Sequence, residues 1–399
     1  MSGPGAGVGP GRILAEILAN TQVTRSSLES ATGLSRPTVS DRLRVLSDAN
    51  LIKESTERVS SGGRPATVIE LNPLAVVILS IDIGESDTRV AVTDLHAQIL
   101  AEESAATDPL DGPTAVLDQI AAVGRRLLDS PAVARIPLGA VGVSLPARVD
   151  IETGATVGWS VMVGWEGFGV TAYLGELFGA PAFVDNDVNL LMLAERHLHW
   201  KDVDHLFFIK IGTGVGGALI ANGEISRGHN GGAGDIGHIY VSGFGEPICR
   251  CGNRSCLEAV AGGWALARDL QARRGDSPKR VTASEAVAAI ETGDGDAVAL
   301  VRQASLAIGQ AAAAATNLIN PKAIVIGGEI AQAAGHQLVA GVRAVVYQRS
   351  LPLATKDLEI VPSQLDEHGG VVGAALLAAT ALLDPARIDQ LSTTQRRQR

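Results

Sequence analysis

A winged helix-turn-helix followed by a larger α/β fold with mixed sheets is the fold class this sequence predicts. Three observations carry the prediction. Between Arg12 and Leu46, apolar residues recur at helical spacing in three short runs separated by turn and cap residues. Two strand-like runs, Leu51 to Glu54 and Ala66 to Leu71, then flank the Gly-rich tip Ser61-Gly62-Gly63-Arg64-Pro65, the composition of a β-wing. Beyond Asn72-Pro73 the texture changes to apolar strands that end in Gly-rich turns and alternate with Ala- and Leu-rich helices.

Taken in order, the first eleven residues, MSGPGAGVGPG, are too rich in Gly and Pro and too poor in apolar side chains to pack, and 1–11 read as a mobile arm. The winged unit is expected over 12–72. Its first helix carries Ile13, Leu14, Ile17 and Leu18; a second, capped by Thr24 or Ser26, carries Leu28 and Ala31; Thr32-Gly33-Leu34 is the turn. The third helix takes Ser35 as N-cap, tolerates Pro37 in its first turn, and places Val39, Leu43 and Leu46 on one apolar stripe. Downstream, Val76 to Gly84, Gly139 to Ser144, Leu206 to Gly217 and Ala323 to Gly328 are the strand-and-turn segments, and Ala304 to Leu318 is a closely packed helix. Residues 387–399 are polar and basic and read as a frayed tail.

At 399 residues and 41.1 kDa, with 46% hydrophobic residues, the chain can bury a large core and fill two or three domains. No apolar run reaches the roughly 18 residues of a membrane helix, and no signal-like segment opens the chain. A cytoplasmic protein with no membrane partner is expected. The net charge of −10 conceals a split, because residues 1–72 carry eight basic and seven acidic residues and the remainder 25 and 36. Global acidity therefore argues neither for nor against DNA as a partner.

All three cysteines, Cys249, Cys251 and Cys256, fall within eight positions of one another, with His238 just upstream. Thiolates and an imidazole are ligands of tetrahedral zinc, and three sulfurs with one nitrogen close its coordination sphere. The spacing implies structural Zn2+ with no open position for hydrolytic chemistry. The odd cysteine count fits a reducing compartment better than a disulfide scaffold, and three reduced, unrelated thiols are the alternative.

Opposite the Val39, Leu43, Leu46 stripe, the third helix presents Arg36, Thr38, Ser40, Asp41 and Arg44, groups suited to base edges and phosphates in a major groove. Arg64 at the wing tip would reach the adjacent minor groove or backbone. Operator DNA is the implied partner; a small helical bundle making protein contacts is the alternative.

Three stretches, Asp82-Ile83-Gly84, Gly212-Thr213-Gly214-Val215-Gly216-Gly217 and Gly327-Gly328-Glu329, each end an expected strand in the kind of Gly turn that lets backbone amides approach a nucleotide. With these in this order the chain resembles the ROK family (repressors, open reading frames, kinases), specifically its regulators with a fused winged helix-turn-helix. The most specific marks are Gly231-Gly232-Ala233-Gly234-Asp235-Ile236-Gly237-His238, which looks like the family signature, and the cysteine motif closing in Cys256-Leu257-Glu258. The resemblance implies a two-lobed sugar-kinase-like α/β fold of the actin/hexokinase ATPase type. Its small lobe would span 73–185 and about 370–386, and its large lobe, with the zinc site, 186–369. It further implies that Asn186, Asp187, Asp235, His238 and Glu258 contact sugar hydroxyls, with Asp187 as general base on the hydroxyl that a kinase phosphorylates. Carboxylates and an amide suit vicinal hydroxyls. For Asp187 alone, a carboxylate stabilising a helix N-terminus is the plainer reading. His238 would serve metal through one ring nitrogen and sugar through the other.

The chain also departs from the family's kinases. Asp82-Ile83-Gly84-Glu85-Ser86-Asp87 stands where they carry Asp-x-Gly-Gly-Thr and a basic or amide residue, which sets two carboxylates against ATP phosphates at about 1 kcal/mol or more each. Asp235 replaces the signature's usual glutamate, and Val161-Met162-Val163-Gly164-Trp165 replaces an Asn-bearing loop. The sequence is thus read as a transcriptional repressor, a homodimer or homotetramer on palindromic DNA, controlled by a sugar or sugar phosphate bound between the lobes. A DNA-tethered sugar kinase using ATP and Mg2+ is the alternative, because Asp82, Gly84, Gly212, Thr213, Gly214, Gly216, Gly327, Gly328 and Asp187 are all present. An activator or sequestered regulator on the same fold is a third reading.

Overall fold

A computed structural model of the chain describes residues 9–59, 66–84, 88–157, 162–275 and 280–390. Its elements run α1 (Pro10–Ala19), α2 (Arg25–Thr32), α3 (Arg36–Asp48), β1 (Ile52–Val59), β2 (Ala66–Leu71), β3 (Val77–Ile83), β4 (Thr88–Thr93), β5 (Ile99–Ala105), α4 (Pro113–Leu128) and β6 (Leu138–Leu145). There follow β7 (Val149–Asp150), β8 (Ala155–Thr156), α5 (Val170–Phe178), β9 (Ala182–Asn186), α6 (Asp187–His199), β10 (Leu206–Ile211), β11 (Val215–Ala221) and β12 (Glu224–Ile225). The chain continues through α7 (Glu258–Ala261), α8 (Gly263–Arg274), α9 (Ala283–Glu291), α10 (Gly295–Ile319), β13 (Ala323–Gly327), α11 (Glu329–Arg349), α12 (Pro352–Thr355), β14 (Glu359–Pro362) and α13 (Gly369–Leu382). Two compact units result, one from Met1–Ser144, Gly169–Val184 and Ala374–Arg399, the other from Leu145–Phe168 and Asp185–Gly373.

In the first unit, α2 and α3 form the expected helix-turn-helix. Thr24 caps α2 reciprocally with Ser27, each hydroxyl taking the other's backbone N–H at 3.2 and 2.8 Å. Gly33 closes the helix at φ +69°, a conformation open to glycine. Ser35 occupies the N-cap position of α3, but its hydroxyl pairs with Thr38 Oγ1 at 2.9 Å instead of a backbone amide. β1 runs on to Val59 and pairs antiparallel with β2, while Ile69 N donates to Val23 O at 2.7 Å. Leu18, expected inward, is 45% exposed.

Two expectations at the ends are corrected. The helix begins at Pro10, inside the arm expected over 1–11, because Asp389 Oδ1 accepts Gly11 N at 2.8 Å and a side chain at Gly11 would collide with Pro385 O. The tail expected from Arg387 is likewise ordered as far as Gln390: Asp384 Oδ1 caps a last helical turn through Ala386 N and Arg387 N, and Ile388 is buried. Ile388 joins one core with Ile13, Leu14, Leu46, Ile78, Ala140 and Leu383, so the winged helix and the α/β part of this unit share a core although 12–72 were expected to stand apart. Ile388→Ala should cost about 2–5 kcal/mol, read by urea unfolding, because it opens a cavity in that core. The tail reading predicts no change.

The sheet of this unit has the order β5-β4-β3-β6-β9, with β3–β4 and β4–β5 antiparallel and β3–β6 parallel. The sheet of the second unit has the order β12-β11-β10-β13-β14 and repeats that pattern: β10–β11 and β11–β12 antiparallel, β10–β13 parallel. A duplicated design thus underlies the two units, below the level at which the sequence repeats. Residues 145–168, expected in the small lobe, belong to the second unit, where Asn186 Nδ2 donates to Ala147 O at 3.1 Å. α10 is long and apolar enough to cross a membrane by length and composition, yet 61% of that window is buried, with Ala304, Ala307, Ile308, Ala311 and Ala312 in the core.

Candidate functional site: a carboxylate cluster beside a Cys3His group

The chemistry-bearing residues of the second unit gather at the carboxyl ends of its strands and the start of α6. Asn186 is the N-cap of α6, its Oδ1 accepting Val188 N at 3.1 Å, and Asp187 opens the first turn, where a carboxylate meets the positive end of the helix dipole. Asp187 Oδ1 also accepts Val188 N at 2.9 Å, while Oδ2 is ion-paired with Lys210. Lys210 is the lone cation of β10 and lies opposite Gly216 and Gly327 in the sheet register, two residues without side chains. The ammonium therefore holds one of the two Asp187 oxygens, while the other is taken by the backbone amide of Val188.

Behind this corner lies Asp185, 2% exposed. Its Oδ1 accepts Asn186 N at 2.7 Å and Asn189 Nδ2 at 2.8 Å, and its Oδ2 accepts Arg227 Nε at 2.8 Å and Nη2 at 2.7 Å. Arg227 O in turn accepts Ala233 N at 3.1 Å, which anchors the signature segment to the same corner. Within that segment Asp235 is ion-paired with Arg148. Gly237 brings its backbone against β11, since a side chain there would lie 2.1 Å from Val215 O.

From Gly237 to Val241 the chain pairs with Ser255 to Glu258, the segment around the last cysteine. Glu258 N donates to Gly237 O at 2.8 Å, Leu257 N to Ile239 O at 2.9 Å and Val241 N to Ser255 O at 2.8 Å. This ladder carries His238 beside Cys256. The ligand atoms of His238, Cys249, Cys251 and Cys256 all lie within 4.8 Å of one another, with His238 Nδ1 3.8 Å from Cys249 Sγ. Four converging soft donors fit a tetrahedral ion. In the bare group, burial pushes the Cys249 thiol up, and burial followed by hydrogen bonding with Cys251 pushes Cys256 up to about 12.

Glu258 is 7% exposed and fully engaged. Its Oε1 accepts Arg250 Nη2 at 3.0 Å and Trp264 Nε1 at 3.1 Å, and its Oε2 accepts Val215 N at 3.3 Å. The glycines of the expected nucleotide loops also serve the protein's own packing. A side chain at Gly214 would lie 2.5 Å from Glu258 Oε2, one at Gly216 2.8 Å from Val188 Cγ2, one at Gly327 2.7 Å from Phe208 Cζ, and one at Gly328 2.4 Å from Ile211 O. Gly212 O and Thr213 O accept Gly263 N and Trp264 N, holding the β10–β11 loop against the start of α8. Close packing thus explains these glycines without a nucleotide. Asp82 and Gly84 lie in the first unit, and Glu85 to Asp87 fall outside the described residues.

On α3, Arg36 and Arg44 are exposed and Thr38 and Ser40 half-buried. Arg44 Nη2 donates to Asp41 Oδ1 at 2.6 Å, so the local carboxylate already holds one of the two cations. Arg64 lies outside the described residues. Sequence reasoning missed Lys210, Arg148 and Arg250, which pair with the carboxylates it identified, and missed the buried Asp185–Arg227 pair altogether. A lysine interrupting LFFIKI was the one visible signal.

A sequence model described as the ROK family matches residues 78–381. The chain is 30% identical to the N-acetylglucosamine repressor of Escherichia coli O6:H1 over 379 residues, covering 92% of this chain and 91% of that protein. It is also 30% identical to a glucokinase of Halalkalibacterium halodurans, over 75% of this chain and 94% of the enzyme. The crystal structure of a ROK family transcriptional regulator, a homolog of the E. coli MLC protein, superposes with TM-score 0.81 at 27% identity, covering 96% of this chain and 98% of that one. With the family match spanning most of its length and its two sheets folded on the family's plan, the chain belongs to the ROK family.

Proposed function

We propose that the chain is a DNA-binding transcriptional repressor whose affinity for DNA responds to a sugar or sugar phosphate. The observation that carries this reading is the winged helix, with Arg36 exposed on α3, built into the first unit and included in the similarity to regulators, whereas the glucokinase match spans only 75% of the chain. The effector would meet Asn186, Asp187, Asp235, His238 and Glu258, displacing in part the Lys210, Arg148 and Arg250 cations that now pair with the carboxylates. His238, Cys249, Cys251 and Cys256 would hold one Zn2+, which fixes the loop between the signature and Glu258. Such an effector shifts DNA affinity to the extent that it prefers one arrangement of the protein over another. Two copies would place paired α3 helices on half-sites about one helical turn apart.

Sugar kinase is the second reading, supported by Asp187 and the Gly loops. The Lys210 ion pair on Asp187 weighs against it. Fluorescence anisotropy on DNA from the gene's upstream region, at fixed salt and against a panel of sugars and sugar phosphates, tests the repressor. Specific binding released by one sugar is expected, and Arg36→Ala should weaken it by about 1–3 kcal/mol. Absence of specific binding together with sugar-dependent ADP release, lost in Asp187→Asn, would establish the kinase instead.

A further inference from the structure

Arg250 lies between two residues of the metal group, yet its side chain belongs to the carboxylate cluster. Its Nη2 and Nε reach Glu258 Oε1 at 3.0 and 3.3 Å, and its guanidinium carbon lies 5.1 Å from the ring centroid of Trp264, whose Nε1 donates to the same oxygen. A carboxylate as buried as Glu258 is held in place by such partners. The backbone is tied on both sides of Arg250: Cys249 N donates to Asn253 O at 2.8 Å, Gly252 N to Cys249 O at 2.9 Å, and the sulfurs of the flanking Cys249 and Cys251 face the metal position.

We propose that Arg250 is the positioning residue through which metal occupancy of the Cys3His group sets the Glu258 carboxylate, and with it the affinity for the effector. The inference rests on the reading of Glu258 as an effector contact. With both flanking sulfurs ligated, the residue between them has one position and the guanidinium stays on Glu258. When the metal leaves, exposed Cys251 is released, and Arg250 with it. Glu258 then keeps only Trp264 Nε1 and Val215 N, two neutral donors, for a buried charge. The metal thus tunes the effector site through a second route, independent of His238 as a direct ligand.

Trp264 reports on this arrangement, because its ring is stacked by Arg250 and its N–H is bonded to Glu258. In the full-length protein, removing zinc with a chelator should change tryptophan emission, and Trp264→Phe should remove most of that change. Arg250→Met should abolish it while zinc content stays at that of the wild type. Should Arg250→Met fail to hold zinc, Glu258→Gln, which leaves the loop unaltered, must remove the response instead. A zinc-dependent emission change of wild-type size in these variants overturns the proposal.

Calorimetry with glucose, N-acetylglucosamine and xylose then reads the second half. Chelation should weaken the wild type's binding about tenfold or more. Arg250→Met should be weakened to a similar degree already and gain nothing further from chelation. Equal sensitivity to chelation in both proteins means the metal acts through His238 alone and overturns the relay. If zinc-loaded wild type binds none of the three sugars, the effector reading of Glu258 fails, and the emission experiment still decides the link from metal to Glu258.

Discussion

Cys256→Ser is expected to strip the metal from the protein and lower its stability by about 4 kcal/mol or more, since loss of a metal is among the few mechanisms that give the largest single-substitution effects. Cys256 is 1% exposed and packs with Cys249, Ala259 and Trp264, so the ion would close a cluster that holds the ladder from Gly237 to Glu258 together. Denaturant unfolding with and without chelator, with metal analysis of both proteins, checks it. Chelated wild type should fall to the level of the variant. A wild type that carries no metal and ignores the chelator would leave three reduced thiols as the reading. The pH dependence has a sign of its own. In the metal-free chain the Cys256 thiol rises from its ordinary 9.0 to about 12, so its contribution is present below pH 9.0 and lost as pH rises through about 12. Metal reverses that slope, because the bound form requires thiolates. Protection by zinc should grow with rising pH and disappear as protons compete for the sulfurs on acidification.

Asp185→Asn carries the second large effect, about 3–5 kcal/mol, because it leaves the Arg227 guanidinium facing a neutral amide at a position where the carboxylate was 2% exposed. The pair Asp185→Asn with Arg227→Met should recover much of the loss, since removing both charges costs far less than orphaning one. Thermal unfolding of the four proteins of this cycle reads the coupling. Additive losses would mean that the two residues do not act as a pair. The same variants bear on function, because Asp185 takes Asn186 N at 2.7 Å and Arg227 O holds the signature through Ala233 N at 3.1 Å. Effector binding should fall with stability in Asp185→Asn and return with it in the double variant, where the amide oxygen at position 185 can still accept Asn186 N.

Features encoded by neighbours in sequence were legible before the structure. The period of Val39, Leu43 and Leu46 marked α3, Gly33 marked its turn, and three cysteines within eight positions marked the metal group. Acidic positions were legible as chemistry but not as a charge balance. Arg227 lies 42 residues from Asp185, and Lys210 lies 23 from Asp187, separations at which no periodicity operates. The unit boundary at Ser144 was hidden for the same reason, because Leu145–Phe168 return by contacts rather than by composition. Ile388 stands in the segment that reads as a polar tail. Its burial follows from a partner, α1, made at the other end of the sequence.

That last contact orders events in time. The N-terminus of α1 finds its capping carboxylate, Asp389, only 378 residues later. At about 5–20 residues per second, synthesis separates the two by roughly 20–75 s. Throughout that interval the nascent winged helix lacks the cap at Gly11 and the core partners Leu383 and Ile388. The DNA-binding element reaches its final form only once Asp389 has left the ribosome, when the carboxylate cluster and the Cys3His group have already emerged. No copy of this chain completes its winged helix before its Cys3His unit has been made.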